Sequence, residues 1–310
     1  MSFLTIFTSP KPFTNPHIDI IQRNAIQNWK ALSPDVEVIM VGDEEGMPEV
    51  AADAGVQHIK TVEANEFGTP YIKSIFQAAR EASGSTYLCF ANADMLFFPK
   101  LIDDIRAVSQ QHEKFLIIGQ RWDMDITEPL DFSPGWDQRL KTRLVQEGRL
   151  HAPAGSDYFV FHSGQYTQIP DFVIGRPSWD NWMIYNALKQ GWPVIDATPD
   201  IEIIHQNHDY SHLPGGKPPY GGVEGNQNIA HGKASTKEYY FYLLLDANWQ
   251  LKDSKVQSNP LTWPRFLRKM EVQIAPLDEE GLRYNIFQRI ERYRKRVVRE
   301  RYTGRKMGEV

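Results

Sequence analysis

The sequence predicts an α/β protein with a mixed, mainly parallel sheet flanked by helices, and three observations carry that prediction. Short apolar runs alternate with helix-patterned segments through the first hundred residues, the order that builds parallel sheets with helices on their faces. One run, Tyr87-Leu-Cys-Phe-Ala91, carries no charge, as expected of a short strand buried on both sides. It ends in Asn92-Ala93-Asp94, followed by Met95-Leu-Phe-Phe98 and a breaking Pro99. Oxygen-bearing side chains thus fall at the carboxyl end of an interior strand, where open α/β sheets collect their ligands.

The elements follow in order. Residues 3–8 read as a first strand, stopped by Ser9-Pro10-Lys11-Pro12. Ile18, Ile21, Ala25 and Trp29 share one face of a helix over residues 18–32, and Pro34 closes it. A second strand spans 36–41 and runs into Gly42-Asp43-Glu44; a short helix over 49–54 and a strand over 56–59 come next. A loop over 65–71 leads into a helix over 71–82, ended by Gly84 before the central strand. Beyond it come a helix over 101–111 and a strand over 115–119.

Arg121-Trp-Asp-Met-Asp125 opens a region of weak periodicity, in which residues 136–147 pattern as a helix on a surface flap. A strand over 156–161 has Asp157 at its entrance, and a helix over 178–188 begins Trp179-Asp180-Asn181-Trp182. Short strands at 194–198 and 201–204 come after it, the second leading into His205-Gln-Asn-His208-Asp-Tyr-Ser-His212. Residues 213–225 are dense in Gly and Pro and read as a flexible loop, while 239–245 fit either a strand or a short helix. No internal repeat is present.

The expected organisation is a main domain over 1–250, with halves at about 1–120 and 121–250, and a C-terminal extension over 251–310. From Arg283 to Lys306 basic residues far outnumber Glu291 and Glu300, and Ile286, Phe287, Ile290, Tyr293 and Val297 fall at helical spacing. Such a basic amphipathic helix either packs on the main domain through its apolar stripe or meets an anionic membrane surface.

At 310 residues with 41% hydrophobic and 24% charged side chains, the chain can bury a substantial core. A net charge of −5 provides no global field to recruit nucleic acid. The one cysteine, Cys89, precludes an intramolecular disulfide and reads as small core filler. The first residues lack a basic segment and reach Pro10 too soon for a signal peptide, and no apolar run reaches the ~18 residues of a membrane span. The expectation is a soluble cytoplasmic protein, with peripheral contact at the inner membrane surface as an option for the basic helix.

Asn92 and Asp94 offer hard oxygen ligands suited to Mg²⁺ or Mn²⁺; the alternative is an Asx turn after a strand. Asp180 sits where a general base or a helix-capping carboxylate would sit equally well. Lys73 is either a phosphate contact or a solvated lysine, and Asp43 either a nucleotide contact or a turn residue. Trp122, Trp136, Trp179 and Trp182 divide between sugar stacking and core.

The order of these features, over about residues 3–212, resembles the GT-A fold of nucleotide-sugar-dependent glycosyltransferases, of the family 2-like kind. The resemblance implies that Thr8, Ser9 and Asp43 bind the nucleotide, with Lys73 on the helix before the central strand reaching its diphosphate. Asn92-Ala93-Asp94 takes the place of the family's DxD motif, with Asp94 holding the metal and Asn in the first position. Asp180 takes the place of the base used by inverting members, and His205 and His208 that of a late histidine ligand to metal or diphosphate. Asp157, after Ala154-Gly155-Ser156, resembles the segment that lines the sugar and acceptor pocket.

The implied activity is metal-dependent transfer of a sugar from a nucleotide-diphosphate donor to a carbohydrate or lipid-linked acceptor. Two other functions fit the same features. One is a binding protein for nucleotide or carbohydrate that has lost the chemistry. The other is a nucleotidyltransferase, against which stands the absence of glycine from Thr8-Ser-Pro-Lys-Pro12.

Overall fold

The structure is a computed structural model that describes residues 2–153, 156–208, 222–276 and 280–307. The first half runs β1 (Leu4–Thr8), α1 (Pro16–Leu32), β2 (Val36–Val41), α2 (Met47–Ala54), β3 (Gln57–Ile59), α3 (Ile72–Ala82), β4 (Tyr87–Ala91), β5 (Met95–Phe97), α4 (Lys100–Ser109) and β6 (Leu116–Ile118). The second continues with β7 (Trp122–Met124), α5 (Trp136–Glu147), β8 (Arg149–Leu150), β9 (Tyr158–His162), α6 (Trp179–Lys189), β10 (Val194–Asp196), β11 (Ile203–Gln206), α7 (Val223–Thr236), β12 (Trp249–Lys252), β13 (Lys255–Ser258), α8 (Trp263–Ile274) and α9 (Gly281–Tyr302).

A nine-stranded sheet has the order β13-β12-β10-β6-β9-β4-β1-β2-β3. Its pairs are parallel except where β9 lies between β4 and β6 and where β13 folds back on β12. The expected mixed, mainly parallel α/β architecture is therefore present. The side-chain period of two divides the buried strand residues between two cores. Leu4, Ile6, Cys89 and Ala91 face one, together with α1, α2 and α4. Phe7, Leu88 and Phe90 face the other, together with α3 and α6. Cys89 is fully buried within the first core.

A smaller sheet, β5-β11-β7-β8, packs on the first core through Met95, Leu96, Phe97, Trp122, Met124, Ile203 and Ile204. Trp122, Trp136, Trp179 and Trp182 are all buried in one core or the other, which accounts for them as packing. The main sheet runs past residue 250, because the β12–β13 hairpin completes its edge. Beyond that hairpin lie the two helices α8 and α9.

Three stretches depart from the sequence pattern. Helix α7 carries no apolar stripe; its buried positions are Gly225, Asn228 and Gly232. Gly232 is needed there, since a Cβ would stand 2.1 Å from the Tyr240 ring. Residues 239–245 form neither a regular strand nor an α-helix, only a single 3₁₀ turn at Leu244–Asp246. Helix α8 is attached through buried charge, its buried residues including Arg265, Arg268 and Glu271.

Glu271 is fully buried between Arg268, which it meets within α8, and the Arg294 Nε of α9 at 2.5 Å. Arg268 also contacts Asp246 at 2.9 Å, tying both helices to the body. Removing one member of such a buried cluster leaves its partners desolvated and unpaired. Glu271→Ala is expected to cost about 3–5 kcal/mol, read as a lowered midpoint in urea unfolding.

Candidate active site

Strand β1 lies between β2 on one side and β4 on the other, and the next main-sheet strands after β1 and β4, which are β2 and β6, lie in opposite directions. Such a switch point opens a crevice where ligands bind in α/β sheets. Two loops frame it: Ser9 to Asn15 after β1, and Asn92-Ala93-Asp94 after β4. The second is a tight turn closed by the Met95 N–H donating to the Asn92 carbonyl at 3.1 Å. Because the backbone closes the turn, the side chains of Asn92 and Asp94 are available for other partners. Strand β11 then delivers His205 beside Asp94, and the chain after it brings His208.

Asp94 is 9% exposed. Its Oδ2 lies 3.1 Å from His208 Nε2 and 3.8 Å from His205 Nε2. One ligand atom from each of the three residues falls within 4.8 Å of the others. Burial pushes the Asp94 carboxyl up, but His205, His208 and Lys11 outweigh it and hold the group well below the usual carboxylate range. Its other oxygen, Oδ1, is buried and has no hydrogen-bond partner among the described residues, an arrangement costly for a carboxylate unless something binds there. His205 Nδ1 is 3.4 Å from Asp123 Oδ1, the arrangement that turns Nε2 toward a metal. Burial lowers the His205 pKa, but Asp94 and Asp123 more than offset this, and the net shift is upward. A buried oxygen lacking a partner, one carboxylate and two imidazoles together fit a divalent cation.

Sequence reasoning missed three members of this cluster. Lys11 Nζ reaches 3.4 Å from His208 Nε2; burial lowers its pKa while the Asp94 charge opposes. Arg121 contacts Asp123 Oδ1 through Nε at 3.0 Å and Asp157 Oδ2 through Nη1 at 2.7 Å. Asp123 also meets His151 Nδ1 at 2.8 Å. Burial would raise Asp123, but His151, His205 and Arg121 hold it well below the usual range. One signal could have found Arg121 and Asp123: they follow a few residues past the carboxyl end of β6, at and just before β7.

The predicted residues divide into two groups. Asn92 donates through Nδ2 to Asp157 Oδ1 at 3.0 Å, so its side chain turns to Asp157 and its neighbour Arg121. Ala93 is buried between Asn92 and Asp94. Asp180 lies in the first turn of α6, partly exposed, near enough to Asp157 to feel its charge. Burial pushes Asp180 up to about 6, opposed by first-turn N–H groups and reinforced by Asp157. The residue before this helix, Ser178, has φ +94, a strained value for a side chain other than glycine. Its Oγ is held 2.8 Å from the Tyr240 hydroxyl.

Thr8 ends β1 with its hydroxyl buried and without a partner among the described residues, and Ser9 adjoins Gly42, where a Cβ would stand 3.4 Å from the Ser9 Oγ. Asp43 and Lys73 pair outside the cluster: Asp43 with Lys60 at 3.2 Å, Lys73 with Asp171 at 2.7 Å and Glu63 at 3.9 Å. Ala154, Gly155 and His212 lie outside the described residues, as does most of the expected loop over 213–225.

No protein-family profile matches the sequence, and no curated protein matches it. Among solved structures the chain is similar to M. tuberculosis glucosyl-3-phosphoglycerate synthase, at 13% identity and a TM-score of 0.47, over 84% of this chain and 88% of that one. The same enzyme in complex with Mn²⁺, uridine diphosphate and glucosyl-3-phosphoglycerate gives 14% and 0.46 over the same shares. S. aureus TarS gives 10% and 0.37, over 67% of this chain and 59% of that one. Values of this size describe a general likeness of chain path; the chemistry rests on the side chains above.

Buried amides fix the position of Asp94. The Gln206 backbone N–H and its Nε2 both donate to the Asp94 carbonyl, at 3.0 and 3.3 Å. Asn24 of α1 in turn donates to Gln206 Oε1 at 3.0 Å. Gln206→Leu removes the side-chain links and is expected to cost about 1–3 kcal/mol, measured by chemical unfolding.

Proposed function

We propose that this protein is a metal-dependent glycosyltransferase that moves a sugar from a nucleotide-diphosphate donor to an acceptor hydroxyl with inversion. The observation that carries the proposal is the convergence of Asp94, His205 and His208 at the switch-point crevice, with a buried Asp94 oxygen lacking a partner. Two imidazoles suit an ion softer than Mg²⁺, which favours Mn²⁺. When bound there, the ion would supply Lewis-acid neutralisation of a diphosphate leaving group.

The remaining roles belong to the chain itself. Lys11 presents an ammonium beside the triad, positioned to meet the same phosphates. Asp43, Thr8 and Ser9, at the ends of β1 and β2, are the proposed nucleotide contacts, with Lys73 beyond them. Arg121 holds Asp123 and Asp157 in fixed relation, so that Asp123 orients His205 while Asp157 and Asn92 border the sugar. Asp180 accepts the acceptor hydroxyl's proton as that oxygen attacks the anomeric carbon and the bond to phosphate breaks. A pKa near 6 leaves it ionised at neutral pH and more basic than an ordinary carboxylate.

One observation favours a binding-only role: the first position of the motif is Asn92, and its amide is engaged by Asp157. Measurement of donor turnover separates the two readings, since a binding protein would take up nucleotide without consuming it.

Thermal unfolding against a panel of nucleoside diphosphates tests the donor site. At ~100 times its dissociation constant, the correct nucleotide should add about 2.7 kcal/mol in wild type with Mn²⁺. The gain should vanish in Asp94→Ala or on chelation; no shift with any nucleotide would overturn the proposal. The transfer rate should rise with pH through about 6 and then level, as Asp180 becomes ionised. Asp180→Asn should lose about 10²-fold or more in rate and keep the nucleotide-dependent thermal shift. A flat pH profile, or a variant as active as wild type, would remove Asp180 as the base.

A further inference from the structure

Helix α9 carries three distinct stripes at 3.6 residues per turn. Phe287, Arg294 and Val298 form the buried seam, anchored by the Arg294–Glu271 pair. Beside it, Leu282, Ile286 and Tyr293 are 77%, 42% and 41% exposed, with Ile290 and Val297 half-buried among them. The next stripe is basic: Arg289, Arg292, Arg296 and Arg299 are all exposed. Helix α8, packed against α9, adds its own exposed apolar group. Trp263 and Phe266 stack with ring centroids 5.4 Å apart and an interplanar angle of 18°, and Met270 lies one turn on. Of the apolar stripe anticipated from the sequence, Phe287 joins the buried seam, Ile290 and Val297 are half-buried, and Ile286 and Tyr293 face outward.

We propose that the α8–α9 pair docks the protein on an anionic lipid bilayer. The geometry matches how an amphipathic helix lies in an interface, with apolar side chains in the acyl boundary and guanidinium groups at the headgroups. Charge complementarity selects this occupant. Juxtamembrane arginines are attracted to an anionic leaflet, whereas a second copy would bring like-charged arginine stripes together. Aliphatic Leu282, Ile286 and Met270 gain from hydrocarbon and have nothing to stack on in a nucleic acid. Of the acidic residues on α9, Glu291 is paired with Lys295 at 2.8 Å and Glu300 is exposed near the helix end. The proposal is independent of the transferase reading and would serve it by bringing the crevice to an acceptor held in lipid.

Vesicle flotation of the full chain tests it, using phosphatidylcholine alone and phosphatidylcholine mixed equally with phosphatidylglycerol. Wild type should bind the anionic vesicles at least about tenfold more tightly than the neutral ones, and high salt should reduce the difference. The double variants Leu282→Ser/Ile286→Ser and Arg289→Glu/Arg296→Glu alter exposed positions only. Each should keep the wild-type unfolding midpoint and nucleotide-dependent thermal shift while losing about tenfold or more in vesicle affinity. Equal binding to both vesicle types, or wild-type affinity in either variant, would overturn the proposal. So would a wild-type dimer, seen by light scattering, that the serine variant converts to monomer, since the surface would then belong to a second copy.

Discussion

A buried carboxylate must stay ionised for this site to exist, and much of the surrounding structure serves that end. Asp94 is buried just after β4, where desolvation works against its charge. Two imidazoles and one ammonium, from β11, the chain after it and the loop after β1, overcome that penalty together. None of these groups is near Asp94 in sequence, so the ionised state depends on the tertiary fold. The backbone beneath is fixed just as firmly. Asn28 of α1 both donates to the Phe97 carbonyl at 3.0 Å and accepts its N–H at 2.7 Å. Trp29 adds a bond to the Met95 carbonyl at 2.9 Å. Helix α1 thus supplies polar partners to the strand immediately after Asp94.

From Asp94 a continuous series of polar contacts runs toward Asp180. It passes through His205, Asp123, Arg121 and Asp157, and Asp157 lies close enough to Asp180 to raise its pKa. Opposite environments give two carboxylates different properties. Asp94, surrounded by cations, is held acidic; Asp180, partly buried and near another aspartate, is made more basic. That division suits a metal ligand at one end and a proton acceptor at the other. Arg121 is the fixed element between them, since its planar fork sets the spacing of two aspartates at once.

The C-terminal helices are attached by a different principle. Buried charges, Glu271 with Arg268 and Arg294, join α8 to α9, and Arg268 with Asp246 holds the pair on the body, leaving apolar side chains outward. The segment after α9 then returns to the smaller sheet, where Gly304 N–H donates to the Leu150 carbonyl at 3.0 Å and Leu150 N–H to the Arg305 carbonyl at 2.9 Å. His151, the next residue, contacts Asp123. The tail is therefore stitched to the edge of the candidate site.

Local pattern in the sequence determined the alternating elements of the first half, the interior strand at Tyr87–Ala91 and the position of Asp94 at its end. It did so because apolar runs, turn residues and helix stops act over a few neighbours. His205 and His208 stood out for a similar reason, as polar residues next to an apolar run, although His205 itself belongs to β11. Helix α7 was not, because glycine and asparagine make its buried contacts and leave no apolar period. Nor was the attachment of α8, where arginine and glutamate occupy positions that hydropathy assigns to solvent. Lys11, Arg121 and Asp123 acquire their significance only from partners far along the chain. The tertiary structure alone decided that the turn at Asn92 is closed by backbone, that Asn92 faces Asp157, and that Lys73 and Asp43 are paired elsewhere. Those outcomes depend on distance in space and on the dielectric of the buried site, and neither is written in the order of residues.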